Sequence, residues 1–191
     1  PMSFTSRYPL RVPGRAGLPA DDQDVRSCLG HIWHPFGAAL LIMGPPREIV
    51  FRPAAGQGGV ALATFAGGAV GSFHFSAGQS GTSPLERVEV VGEGANVIVE
   101  NAVRITHYRP GSPGPYGRMP SYLTPPEQAP LTWEPEFSLG QLYNSNNFFQ
   151  GYAPSIIAFA EAALGERPLE YGTLEDAAAI LRCFEILCGY R

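Results

Sequence analysis

Cys28, His31 and His34 stand three residues apart in a C-x-x-H-x-x-H run. Thiol and imidazole at that spacing superficially suit zinc, but a structural zinc takes four ligands and the stretch offers no local fourth. No metal site is expected. Imidazole also moves protons, because its ordinary pKa of about 6.5 lets it take and return one near neutral pH. His34 is the candidate for that work, with a helix-start histidine bonded to backbone as the plainer alternative. His31 offers it a polar partner, and Trp33 a flat face against which a ring could lie. Arg7 and Tyr8 close the first apparent strand, where they could hold a carboxylate or hydroxyls. An arginine at a strand end is equally well read as a solvated ion-pair partner. Tyr143 and Asn144, followed by Asn146 and Asn147, supply the hydroxyl and amides that a polyhydroxylated ligand needs, and read as readily as a loop ahead of a helix. All thirteen basic residues are arginine, so no ammonium is available for Schiff-base or phosphate-cradling work. Chemistry that needs lysine must come from elsewhere.

The elements that would position these residues are mostly strands. Residues 3–10 alternate aromatic with small or polar side chains and read as a strand entering a loop; 11–23 read as a connection that turns acidic. Residues 34–43 carry a helical pattern stopped by Gly44-Pro45-Pro46. Six short strand candidates follow, at 48–52, 60–65, 70–76, 86–91, 96–100 and 104–108, with glycine-bearing connections short enough for antiparallel hairpins. A proline-rich excursion over about 109–136 can form neither helix interior nor central strand, and its length suggests that it wraps a surface or a site entrance. Pro154 suits the first turn of a helix that Gly165 ends, and Thr173 with Asp176 caps a last helix whose Leu174, Ala177, Leu181, Phe184 and Cys188 share a face. The expected fold is α+β, an open, largely antiparallel sheet with helices packed on one face, in a single domain over 1–191.

Composition narrows the function classes. Hydrophobic residues make up 45% and charged residues 16%, which describes a globular chain with uncharged surface to spare for a partner. Seventeen acids against thirteen arginines give a net charge of −4 with no basic block, so nucleic acid is not expected. No apolar run approaches the ~20 residues that span a bilayer, and the first residues lack the order of a signal peptide, so no membrane partner and a cytoplasmic location are expected. Cys28, Cys183 and Cys188 are an odd set, read as reduced and mostly buried thiols.

Three segments in order carry a resemblance: Gly30-His31-Ile32-Trp33-His34 with Gly44 ten residues on; the run from Glu86 through Gly92-Glu93-Gly94 to Asn101; and Gly151-Tyr152 to Leu164, followed by Gly172-Thr173-Leu174-Glu175-Asp176 and the last helix. Together they resemble the C-terminal domain of the Gfo/Idh/MocA oxidoreductases over nearly the whole chain. The resemblance implies a domain that binds substrate and mediates oligomerisation through its sheet. In the family this domain is paired with an N-terminal Rossmann domain that binds NAD or NADP, in enzymes that act on a sugar, polyol or sugar derivative. It implies that the histidine matching His34 faces the substrate hydroxyl and that the chain alone is inactive; beside it, His31, Trp33, Arg7, Tyr8, Tyr143 and Asn144 are the residues whose chemistry makes them candidate contacts to a sugar-like substrate.

Two departures stand beside it. The family often carries an aspartate four residues before its histidine, where this chain has Gly30, and the lysine of the family's Glu-Lys-Pro motif has no counterpart. No Rossmann domain is expected in this chain, since neither Gly56-Gln57-Gly58-Gly59 nor Gly92-Glu93-Gly94 opens a helix as a G-x-G-x-x-G turn must. The cofactor is expected on a Rossmann partner in cis or trans, with none bound by this chain alone and the chain itself a piece of a longer enzyme. A non-catalytic binding or assembly module that keeps the fold is the alternative reading.

Overall fold

The computed structural model describes residues 1–13, 22–55, 58–110, 129–134 and 151–190. Strands β1 (Ser3–Tyr8), β2 (Glu48–Ala54), β3 (Gly58–Thr64), β4 (Val70–Phe75), β5 (Arg87–Val91), β6 (Asn96–Glu100), β7 (Arg104–Tyr108) and β8 (Leu131–Trp133) form one sheet in the order β2-β3-β4-β1-β5-β6-β7-β8. All neighbours are antiparallel except β1 and β4. That exception follows from the chain path. After β1 the chain forms α1 (Gln23–His31) and α2 (Trp33–Met43), re-enters at the sheet edge, and steps inward through β2 and β3, so β4 reaches β1 running in the same direction. Two more helices, α3 (Tyr152–Ala163) and α4 (Leu174–Leu187), follow the strands. The α+β class and the open, mostly antiparallel sheet agree with the sequence pattern.

Helices α1, α2 and α4 pack together, with α2 against β1 and α4 against β2. Alternation along the strands turns Phe4, Ser6 and Tyr8 of β1, Ala61 and Ala63 of β3, and Phe73 and Phe75 of β4 toward them, all buried. Phe36 of α2 stacks on Phe73 with ring centroids 4.3 Å apart, and Phe4 meets the same ring at 5.6 Å. The small residues opposite are required by this packing: a Cβ on Gly71 would lie 2.8 Å from the ring edge of Phe65. Ile180, Cys183, Phe184 and Leu187 of α4 complete the core.

The structure adds to or corrects the sequence reading at three places. Residues 23–31, which begin at the end of the expected connection and otherwise carry no expected element, form α1, capped by the Asp22 carboxylate, which accepts from the Asp24 and Val25 amides at 2.9 and 3.2 Å. In α4 the buried stripe is Ile180, Cys183, Phe184 and Leu187, whereas Leu174 is 85% and Leu181 is 42% exposed. Finally, a short strand, β8, lies inside the proline-rich stretch, at the sheet edge where a proline-flanked strand is tolerated.

Candidate active site

α1 and α2 meet at Ile32, which caps both helices and is fully buried. Its amide donates to the Cys28 carbonyl at 2.9 Å and its carbonyl accepts from the Phe36 amide at 3.3 Å, so Ile32 joins two short helices while keeping right-handed helical dihedrals itself. With Ile32 pinned in the core, the residues on either side are held at the surface: His31 in the last turn of α1, and Trp33 and His34 in the first turn of α2, all exposed. The His31 Nδ1 lies 2.8 Å from the Ser27 carbonyl, which orients that ring from within its own helix.

β1 ends beneath this corner. Tyr8 is 8% exposed and stacks on His34, with ring centroids 5.6 Å apart and planes 17° from parallel. The His31 ring also lies near His34, centroid to centroid 6.4 Å and tilted by 37°. Tyr8 is fixed from below: its carbonyl accepts from the Leu10 amide at 2.8 Å and the Ser76 amide at 2.9 Å. Burial, aided by the negative charge of Glu86, pushes the Tyr8 phenol up to about 12, so it stays neutral and donor-capable across the physiological range.

The sequence-derived candidates therefore separate. His31, His34 and Tyr8 form one cluster. Arg7 does not join it, because alternation turns Arg7 to the opposite face of the sheet from Tyr8, where it is exposed beside Arg87 of β5. Trp33 borders His34 in sequence but lines a cavity of about 390 Å³ on another side of α2, with Leu40, Leu41, Gly172, Thr173 and Ile180. Tyr143 and Asn144 lie outside the described residues. Cys28 is fully buried and faces the Cys188 thiol, and among the described residues no three His, Cys, Asp or Glu side chains are arranged to hold a metal ion.

Gly30 also lies away from the ring cluster, in a surface hollow shared with Arg26, Leu29, Trp33 and Ala177. A Cβ there would meet nothing within 4 Å, so no packing demand explains the glycine. Sequence reasoning missed Glu86, whose charge acts on Tyr8. Nothing local signals that pairing, since Glu86 and Tyr8 are brought close only when β5 lies antiparallel to β1.

The glycine turn between β5 and β6 does not fit a dinucleotide. Gly92 and Gly94 lie in the turn between β5 and β6, with the Gly92 amide bonded to the Ala95 carbonyl at 2.8 Å, so no helix N-terminus follows to receive a pyrophosphate. The exposed imidazole can exchange a proton with a hydroxyl laid over it, and the oxidation or reduction of that carbon would have to come from a group held elsewhere.

No protein-family model and no curated protein sequence matches the chain. Solved structures do. A dehydrogenase from Chromobacterium violaceum is 18% identical with a TM-score of 0.65, over 97% of this chain and 50% of its own. Levoglucosan dehydrogenase, solved in complex with NADH and levoglucosan, is 15% identical with a TM-score of 0.59, over 98% of this chain and 57% of its own. A Gfo/Idh/MocA family oxidoreductase from Vibrio cholerae is 13% identical with a TM-score of 0.56, over 99% of this chain and 52% of its own. The chain spans about half the length of the solved structures it matches. At such identities the likeness is one of fold: this chain is built as one half of a Gfo/Idh/MocA oxidoreductase is built, consistent with the C-terminal domain.

Proposed function

We propose that this chain is the substrate-binding and oligomerisation half of an NAD(P)-dependent oxidoreductase that acts on a sugar, polyol or sugar derivative. The dinucleotide is held by a Rossmann half in cis or trans, which also supplies the missing lysine. The observation that carries this reading is His34: an imidazole exposed on the first turn of α2, flanked by His31 and backed by Tyr8, in a fold shared with dehydrogenases. When bound, a nicotinamide supplies the hydride chemistry. This chain's residues manage the substrate. His34 takes the hydroxyl proton as the carbon is oxidised and returns it in the reverse direction, while the His31 ring beside it offers a polar contact in place of the aspartate that the family often has one position earlier, at Gly30 here. Tyr143 and Asn144 remain candidate sugar contacts; Trp33, which lines the cavity on another side of α2, and Arg7, on the other face of the sheet, stand apart from His34.

The test is replacement of His34 by alanine in the enzyme containing its dinucleotide-binding half. Turnover should fall by roughly 10²- to 10⁴-fold, the usual contribution of a general acid or base, with cofactor affinity little changed. Unchanged turnover would remove His34 from the mechanism. The alternative, an assembly module without chemistry, draws support from the apolar side chains left on the open sheet face and on α3, where Ile156, Phe159 and Leu164 are 65% exposed or more. Under that reading the His34→Ala enzyme and the parent would be equally inert.

A further inference from the structure

We propose that Tyr8 is a positioning residue for His34, acting through its ring rather than binding substrate through its hydroxyl. This rests on the reading of His34 as the proton-transfer group. His34 is exposed, and among the described residues its side chain makes ring contacts only, to Tyr8 and His31. An exposed imidazole on a helix's first turn samples several staggered χ1 wells and a broad χ2, and a group that must meet a hydroxyl proton in one geometry loses rate in proportion to the time spent elsewhere.

Tyr8 supplies the constraint. The residue is about nine-tenths buried, its ring is nearly parallel to the imidazole, and its backbone is held by pairing with Phe75 of β4 and by the Leu10 and Ser76 amides, which donate to its carbonyl. His31 is a poorer clamp, being itself exposed and tilted 37° from His34. A favourable aromatic stack biases a rotamer equilibrium by roughly 3- to 10-fold. A residue this buried offers its ring as a fixed platform, and the part played by its hydroxyl is what the substitutions below separate.

The ring and the hydroxyl are separated by two substitutions in the enzyme carrying its dinucleotide-binding half. Tyr8→Phe keeps the stack and should leave kcat within about twofold; Tyr8→Leu removes it and should lower kcat by roughly 3- to 10-fold with the cofactor KM unchanged. Phe4→Leu, which removes a ring from the same face of β1 but touches neither histidine, should lower stability and leave kcat alone. In the 191-residue chain, the His34 Hε1 proton should show an NMR ring-current shift and cross-peaks to the Tyr8 ring. The ring-current shift should survive in Tyr8→Phe and vanish in Tyr8→Leu. A Tyr8→Phe enzyme as slow as Tyr8→Leu would assign the role to the hydroxyl and overturn the proposal, as would a Tyr8→Leu enzyme with undiminished turnover. Should Tyr8→Leu not fold, the wild-type cross-peaks and the Tyr8→Phe rate decide. If His34→Ala costs nothing while the stack is present by NMR, the proton-transfer reading has failed and the contact itself has not.

Discussion

Tyr8 ties the chemistry of the corner to the stability of the molecule. Its phenol is raised from 10.0 to about 12 by burial and by Glu86, so the folded state holds this proton more tightly than the unfolded chain does. The contribution is complete below about pH 10. As pH climbs through 10 the unfolded chain begins to lose the proton while the folded one keeps it, and stability falls until the folded phenol also ionises near 12. Cys183, pushed up to about 12 by burial, loses stability over an overlapping alkaline range, so the comparison of wild type with Tyr8→Phe isolates the tyrosine. Wild type should lose stability faster than Tyr8→Phe between pH 10 and 12 in urea titrations. By absorbance, one of the eight tyrosines should ionise late in wild type and be missing from the variant. Matching slopes would mean that the ring is wetter than its burial indicates. At this scale the sequence was legible for residue type and illegible for company. His31 and His34 announced themselves by spacing, but the meeting of Tyr8 with His34 depends on α2 packing over β1, which no local pattern encodes. Alternation does carry one signal here: Arg7 and Tyr8, adjacent in a strand, cannot share one site face.

Among the elements, those with strong punctuation were readable. The cap of α4 is one: the Thr173 hydroxyl accepts from the Asp176 amide at 3.1 Å, and the Asp176 carboxylate accepts from the Thr173 amide at 3.0 Å, a reciprocal box visible in the sequence as Thr-Leu-Glu-Asp. Thr173→Ala should cost about 1 kcal/mol in chemical denaturation, the ordinary worth of such a cap. Because α4 supplies four of the nineteen buried core residues among those described and abuts α2, the loss should appear in the global transition rather than as local fraying. A change below ~0.3 kcal/mol would place the stability of α4 wholly in its packing. Its buried stripe was not readable, because apolar residues occupy adjacent faces: Leu174, Ala177 and Leu181 on one, Ile180, Cys183, Phe184 and Leu187 on the next. Periodicity proposes both, and the sheet and α2 select between them. α1 failed for the opposite reason. Its apolar positions, Val25, Cys28, Leu29 and Ile32, do follow helical spacing, but Ser27 and Gly30 dilute them and the acidic run before them resembles a loop.

On the scale of the whole molecule, the sheet's second face is the feature with no occupant among the described helices. One row crosses all eight strands in register on that face: Val50, Leu62, Ser72, Thr5, Glu89, Ile98, Thr106 and Thr132. Its two halves differ in chemistry. On β5 to β8 the face carries its own counter-ions, with Arg87 3.6 Å from Glu100 and Arg104 2.9 Å from Glu134, and needs nothing from outside. On β2 to β4 it carries Val50, Leu62 and Val70, at 38%, 59% and 50% exposure, beside the small Thr5 and Ser72, whose hydroxyls bond each other at 3.3 Å. A flat, small-residue apolar half next to a charge-compensated half suits a second sheet laid against it about a twofold axis, each copy meeting the same surface on the other. Self-association through this face is accordingly expected, with Leu62 near the centre of the apolar half. Sedimentation of the 191-residue chain should give a dimer or higher species, and Leu62→Arg, which places an unpaired cation in that contact, should return it to a single chain without loss of helical signal. A wild-type chain that stays monomeric at high concentration would leave the face to another partner and separate assembly from the chemistry at His34.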